Sequence, residues 1–335
     1  MSKDFGRRQK DVFMPDQSVA SASPDTSTVK GINHIGLSVS DLDGSLSFYQ
    51  AATSLGLANR QKINSHSVVE RASGFQNEPI EVAILRGPNG YLELMQFDPS
   101  VTGPAQEMPV QGPGITHVCY QAPTPEDIYS RFKSQGASAV SRGTEPVDLG
   151  GYGVYYAYAR DSDGIMFEVE HLDEPKFEGA IWISHVALVT PDIDRLVGFY
   201  RHLLGVDPYR RSDLVEGPRC DAVVDVDGAR IRAAWFNAGN MILELWQYLH
   251  PATAEPGEPP PLEKIGYNKI AFEVDDLSHD YERLVASGVG FLSEPVEIAG
   301  IGEVYARDPD GNLISLLQLA PGSEMSIDGL EQHDW

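Results

Sequence analysis

Four runs of alternating or β-branched apolar residues punctuate the chain, at 32–39, 115–121, 182–189 and 267–274, and each reads as a strand. Apolar positions then switch to helical spacing. Leu42, Leu46 and Tyr49 follow the first run, and Ile193, Val197, Tyr200 and Leu204 follow the third. That spacing predicts helices with one buried face. After the second run, Thr124-Pro125-Glu126 predicts a helix start with Thr124 as N-cap and proline at the first helical position. Ile128 and Phe132 continue that helix and Gly136 closes it. Three more strands follow each helix. The last two are joined at turn signals: Pro88-Asn89-Gly90, Asp163-Gly164, Gly239-Asn240 and Asp310-Gly311. The pattern therefore predicts an α+β protein of four βαβββ units. Pro-rich joints at 98–113 and 249–266, with a shorter one at 172–181, separate them.

The units are copies. INHIGLSVSDLDGSLSFY (32–49) recurs as ISHVALVTPDIDRLVGFY (183–200), and LELMQF (92–97) recurs as LELWQY (243–248). His34 maps to His185 and Glu93 to Glu244 at the same offset of 151, so a His on one strand and a Glu on a later strand were duplicated together. The second and fourth units share the layout through 115–137 and 268–289, with DSDGIMFEVEHL (161–172) matching DPDGNLISLLQL (308–319). His117 and Glu168 hold the two positions in the second unit. In the fourth, Lys269 and Ser315 stand there instead.

Strand alternation groups the candidate chemistry. His34 and Ser38 share a face, as do Tyr91, Glu93, Met95 and Phe97. His117, Cys119 and Gln121 share another, as do Met166, Glu168 and Glu170. A lone His at a strand start is ordinarily structural, and an alternating Glu ordinarily faces water. The joint pattern, in three of four units, reads instead as an N/O site for a divalent metal. The expected ligands are His34, Glu93, His117 and Glu168. Ser38, Tyr91, Met95, Phe97, Cys119, Gln121, Met166 and Glu170 are expected to line the substrate pocket. Most are apolar or aromatic, which suits a hydrophobic or aromatic oxygenated substrate. Which units face each other is a separate question. Pairing one with two and three with four gives one complete site. Pairing one with four and two with three also gives one, built from His117, Glu168, His185 and Glu244. Sequential pairing is preferred, because the duplicated block is one-plus-two as a piece. Lys269 is expected to exclude a metal from the other half and to pair with Glu244.

Composition narrows the partners. The 335 residues carry 25 Lys and Arg against 49 Asp and Glu, a net charge of −24 without a basic stripe, which argues against nucleic acid and anionic membranes. No apolar run has the length of a membrane span, and no apolar segment of a secretory signal follows Met1. Two cysteines, Cys119 and Cys220, at non-equivalent repeat positions, form no disulfide framework, so a reducing cytoplasm is expected. Residues 1–29 read as a disordered tail and 321–335 as a polar one.

Three motifs carry a resemblance: the H-h-[GA]-h-x-V opening strand, the helix ending in F-Y, and the D-x-D-G turn before the Glu strand. Over about 30–320 the chain resembles the vicinal oxygen chelate superfamily, which includes glyoxalase I, methylmalonyl-CoA epimerase, fosfomycin-resistance proteins and extradiol dioxygenases. The resemblance implies paired units curling into two half-barrel domains around one divalent metal (Zn, Ni, Co or Mn). Their bounds would be 30–175, with the intact metal set, and 181–320, with the degraded one. It implies a Lewis-acid isomerase or lyase working through an enolate-like intermediate on a small molecule, with Glu93 and Glu168 as the catalytic carboxylates. The alternatives are an Fe(II) extradiol-type dioxygenase and a non-catalytic binding protein, and a homodimer is compatible with the resemblance. A set of two His and two Glu departs from the dioxygenase triad and looks more like bacterial glyoxalase I.

Overall fold

Each unit folds as its apolar pattern predicts. The computed structural model describes residues 27–63, 80–102 and 105–332. Unit one contains β1 (Val29–Ser38), β2 (Gly56–Ile63), β3 (Ile80–Arg86) and β4 (Tyr91–Gln96), with helix α1 (Leu42–Thr53). Unit two contains β5 (Gly114–Pro123), β6 (Ser138–Ala139), β7 (Val147–Asp148), β8 (Val154–Arg160) and β9 (Met166–Leu172), with α2 (Ile128–Ser134). Unit three contains β10 (Trp182–Val189), β11 (Arg210–Glu216), β12 (Arg230–Asn237) and β13 (Ile242–His250), with α3 (Ile193–Leu204) and an added α4 (Pro218–Val224). Unit four contains β14 (Gly266–Val274), β15 (Val296–Ile298), β16 (Ile301–Arg307) and β17 (Leu313–Leu319), with α5 (Leu277–Ala286). No helix among the described residues is long and apolar enough to cross a membrane.

The predicted start of α2 is displaced. Thr124–Glu126 forms a separate 3₁₀ turn, and Asp127, at φ 44°, breaks the register and caps α2 by accepting from the Ser130 N–H. Thr124 turns away and donates its hydroxyl to Asp173 instead.

The order of the strands overturns sequential pairing. One sheet runs β15-β16-β17-β14-β1-β4-β3-β2 and joins units one and four. The other runs β11-β12-β13-β10-β5-β9-β8-β6 and joins units two and three. In each, the opening strands pair antiparallel at the centre, with Ile35 opposite Ile270 and Val186 opposite Val118. The 172–181 joint is therefore a connection inside one sheet, not a boundary between two half-barrels.

Two asparagines in the predicted turns tie the sheets together. Asn89 donates to the Ile183 carbonyl and accepts from the Ile183 N–H, while Asn240 does the same for Ile32. Both are fully buried, so each turn satisfies a strand of the opposite sheet that would otherwise bury unpaired backbone groups. A large apolar core lies between the sheets and includes Tyr49, Phe132, Phe167 and Tyr200. Sequential units still touch through their helix faces. The Tyr49 hydroxyl donates to Asp161 at 2.9 Å, and that of Tyr200 to Asp308 at 3.0 Å, joining the F-Y and D-x-D-G motifs.

The expected tails are only partly described. Residues 1–26 and 333–335 lie outside the described residues. Thr28 is anchored to Asp280 through its backbone N–H and hydroxyl. The stretch 321–332, expected as a polar tail, docks on the one–four sheet. Ile327 packs on Tyr91, Asn33 donates to the Met325 carbonyl, and Ile327 N–H donates to Glu273.

Candidate metal centre

Strand register builds the site. In unit three the parallel β10–β13 pair sets Ala187 beside Glu244, so His185, two residues earlier on the same face, lies diagonal to that carboxylate. In unit two, Cys119 is beside Glu168, and His117 is likewise diagonal to it. The antiparallel β5–β10 pair then places His117 opposite Ala187 and His185 opposite Cys119. Four neighbouring strands thus present Glu168, His117, His185 and Glu244 in a row on one face.

The ligating atoms of these four buried residues all lie within 4.8 Å of one another. His185 Nε2 is 2.9 Å from Glu168 Oε2 and 3.2 Å from Glu244 Oε2, and His117 Nε2 is 3.3 Å from Glu168 Oε2. The two Nε2 atoms face each other at 3.3 Å. Each ring is aimed by a neighbouring hydroxyl, Thr116 on Nδ1 of His117 and Ser184 on Nδ1 of His185. Such contacts on the far nitrogen fix a ring that ligates through Nε2. Trp235 donates its indole N–H to Glu244 Oε1 at 2.6 Å, while Glu244 Oε2 is buried without a well-aligned donor.

The electrostatics call for a cation. Burial opposes charge on His185, but Glu244 and Glu168 outweigh it and raise its pKa well above the ordinary value. Burial likewise opposes the Glu168 carboxylate, and hydrogen bonds from His117 and His185 hold its pKa well below the carboxylate range. Two carboxylates and two imidazoles converging with an orphaned oxygen suit one divalent ion of the borderline kind.

The preferred ligand set is not assembled. His34 and Glu93 lie in the one–four sheet, away from His117 and Glu168, because unit one pairs with unit four. There Lys269 Nζ is 2.9 Å from Glu93 Oε2, and His34 Nε2 is 3.6 Å from the same oxygen. Lys269 thus pairs with Glu93, not with Glu244, and Glu93 is removed from the expected catalytic pair. The same pairing divides the expected pocket. Gln121 and Glu170 line the cavity beside Glu168, and Cys119 is buried against Glu168, Glu170 and His185. Met166 is buried in a neighbouring apolar cluster. Ser38, Tyr91, Met95 and Phe97 fall in the other sheet. Ser38 donates to the Leu262 carbonyl, Met95 and Phe97 pack with Leu262 and Tyr305, and Tyr91 lies under the docked C-terminal stretch.

The cavity at the centre has a volume of about 300 Å³. Its aromatic wall comes from Tyr152, Tyr156, Tyr209, Trp235 and Trp246, with Arg210 among them. These lie on or beside β8, β11, β12 and β13. The signal that could have found Trp235 and Trp246 is period-two alternation along β12 and β13 in phase with Glu244. Burial, then the nearby Glu168, raises Glu170 toward a neutral carboxyl. Burial also raises the Cys119 thiol well above its ordinary pKa, so it is no nucleophile.

Residues 31–169 and 182–316 each match the family model described as the Glyoxalase/Bleomycin resistance protein/Dioxygenase superfamily. Over 154 residues the chain is 30% identical to a 2-epi-5-epi-valiolone epimerase of an Actinomyces species, covering 43% of this chain and 83% of that protein. It is 26% identical over 155 residues to a lactoylglutathione lyase of Arabidopsis thaliana, a match that covers 46% of this chain and spans only 49% of that relative's length. Human mitochondrial methylmalonyl-CoA epimerase is 26% identical over 151 residues, with 42% and 77% covered. Among solved structures, glyoxalase I from Zea mays superposes with a TM-score of 0.61 at 20% identity, over 86% of this chain and 92% of that one, a likeness of fold.

Proposed function

The chain belongs to the Glyoxalase/Bleomycin resistance protein/Dioxygenase superfamily, and from that premise we propose that it is a divalent-metal-dependent isomerase or lyase. Its substrate is a small, oxygenated, hydrophobic or aromatic molecule held in the two–three half-barrel. The observation that carries this reading is the convergence of His117, Glu168, His185 and Glu244, of which Glu168, His185 and Glu244 line an aromatic cavity. These four residues would hold the ion. When bound, it supplies Lewis-acid polarisation of a substrate oxygen.

The rest follows from the chain's own groups. Trp235 fixes Glu244 through Oε1. Glu168 has no such indole donor and is the carboxylate we assign to moving a substrate proton at its oxygen. Tyr152, Tyr156 and Trp246 exclude water and stack against an apolar substrate body. The relatives named as lyase and epimerases support this class of proton-transfer chemistry.

Metal analysis of the purified protein tests the reading. One equivalent of Zn, Ni, Co or Mn per chain, with deuterium exchange into α-oxo acids or hydroxyketones in D₂O by NMR, is the expected result. Iron with oxygen-dependent cleavage of catechols would move the protein to the dioxygenase class. Absence of any tight metal would leave a binding protein.

A further inference from the structure

Resting on the metal-centre reading, we infer that Arg210 sets substrate specificity by binding a carboxylate at the end of the substrate remote from the ion. The register supplies the geometry. Arg210 is directly opposite Trp235 on β12, and Trp235 is directly opposite Glu244 on β13. The three therefore lie in one row across neighbouring strands, about 4.8 Å apart from strand to strand. The Arg210 guanidinium lies over the Trp235 ring, 4.8 Å from its centroid. Its neighbour Arg211 points to the other face and binds Asp194.

Arg210 and Lys176 are the cationic residues among those described that line the cavity, and Lys176 is exposed at its edge whereas Arg210 is half-buried in the aromatic wall. Arg210 thus lines the cavity on the same wall as Glu244, with its guanidinium stacked on Trp235. A planar guanidinium stacked on an indole presents its donor edge to a carboxylate in bidentate fashion. A second donor supports an anionic or acceptor-rich ligand: Trp246 lines the same cavity, and its Nε1 is buried without a hydrogen-bond partner. The arrangement fits a ligand with vicinal chelating oxygens at one end, a carboxylate at the other, and a flat body one ring wide between them.

Cobalt-loaded protein titrated with catechol and with 3,4-dihydroxybenzoate, followed by the visible cobalt spectrum, tests this. The two probes share the chelating oxygens and differ by the carboxylate. Wild type should bind the benzoate about ten-fold more tightly, the worth of one charge-assisted contact. Arg210→Met should abolish that preference while catechol affinity and cobalt content stay unchanged, and Arg210→Lys should keep part of it. Arg210→Gln, which retains polarity and length, guards against a folding defect and should behave as Arg210→Met. Equal binding of both probes by wild type, or a preference that survives in Arg210→Met and Arg210→Gln, overturns the inference and leaves the metal centre standing. Failure to bind cobalt at all removes both.

Discussion

The two half-barrels share one register and hold opposite solutions to the same charge problem. Glu168, His117, His185 and Glu244 in the two–three sheet correspond to Ser315, Lys269, His34 and Glu93 in the one–four sheet. In the first, two carboxylates face two imidazoles, the set proposed to hold a divalent ion. In the second, one carboxylate is lost to Ser315 and an ammonium arrives at Lys269, so Glu93 meets a single positive charge within the chain. The imidazoles record the difference. His185 is raised by its carboxylates, whereas burial, reinforced by Lys269, pushes His34 down to about 4 despite Glu93. The backbone differs as well: a Cβ on Gly36 would meet Asn268 Oδ1 first and lie 2.7 Å from Lys269 Cγ, whereas the matching position in the other sheet is Ala187. A duplicated site can thus be retired by swapping the cation for a side chain that never leaves.

The contrast breaks most sharply at the imidazoles. His117→Ala and His185→Ala should each weaken metal binding on the order of 100-fold or more, because a ligand is removed outright. His34→Ala and Glu93→Ala should keep one equivalent. Equilibrium dialysis with zinc or cobalt checks this, and a second equivalent lost on His34→Ala would contradict the division of labour. Next comes Lys269→Met. It strands the Glu93 carboxylate in the core and should cost about 3–5 kcal/mol in urea unfolding, with Lys269→Met/Glu93→Leu recovering most of it. An unaltered midpoint in the single variant would show that the pair does not neutralise the site.

Acid should also separate the two halves. The folded pKa of His34, about 4, lies below its ordinary 6.5, so the stability it contributes is complete above pH 6.5 and lost as pH falls toward 4. That amounts to about 3 kcal/mol by the linkage of pKa shift to free energy. His34→Gln should flatten that limb of the pH–stability curve, and an unchanged slope would discard the assignment. The smallest effect belongs to Trp235→Phe. Loss of the donor to Glu244 Oε1 should weaken metal binding by about ten-fold without unfolding the protein.

The four units were legible because each carries its own periodicity and turns, and duplication wrote them twice. The site was legible in part for the same reason. His117 and Glu168 belong to the proposed centre under either pairing. The choice between His34 with Glu93 and His185 with Glu244 was not, since the offset of 151 is kept whichever opening strands meet. The deciding contacts were visible only as turn residues: Asn89 and Asn240 read as turns but clamp Ile183 and Ile32 of the opposite sheet. Trp246 was within reach of period-two alternation from Glu244 on β13, whereas Arg210 and the pairing of Trp235 with Glu244 depend on lateral register across β11, β12 and β13, which alternation on a single strand does not reveal. The polar composition of 321–332 similarly hid Ile327, whose single buried side chain anchors that stretch.

Cross-pairing also sets a timetable for synthesis. The central pairing of the two–three sheet joins Val118 to Val186, and all four proposed ligands have been made once β13 ends at His250. The central pairing of the other sheet joins Ile35 to Ile270, and that sheet is complete only with β17, which ends at Leu319. A chain emerging from the ribosome can therefore close the sheet with the proposed ligands while β1 still waits with an open edge for a partner not yet translated. Contacts so distant in sequence form late and slowly, and an unpaired edge strand is where aggregation begins. The one–four half-barrel is thus the one that keeps an open edge longest during synthesis.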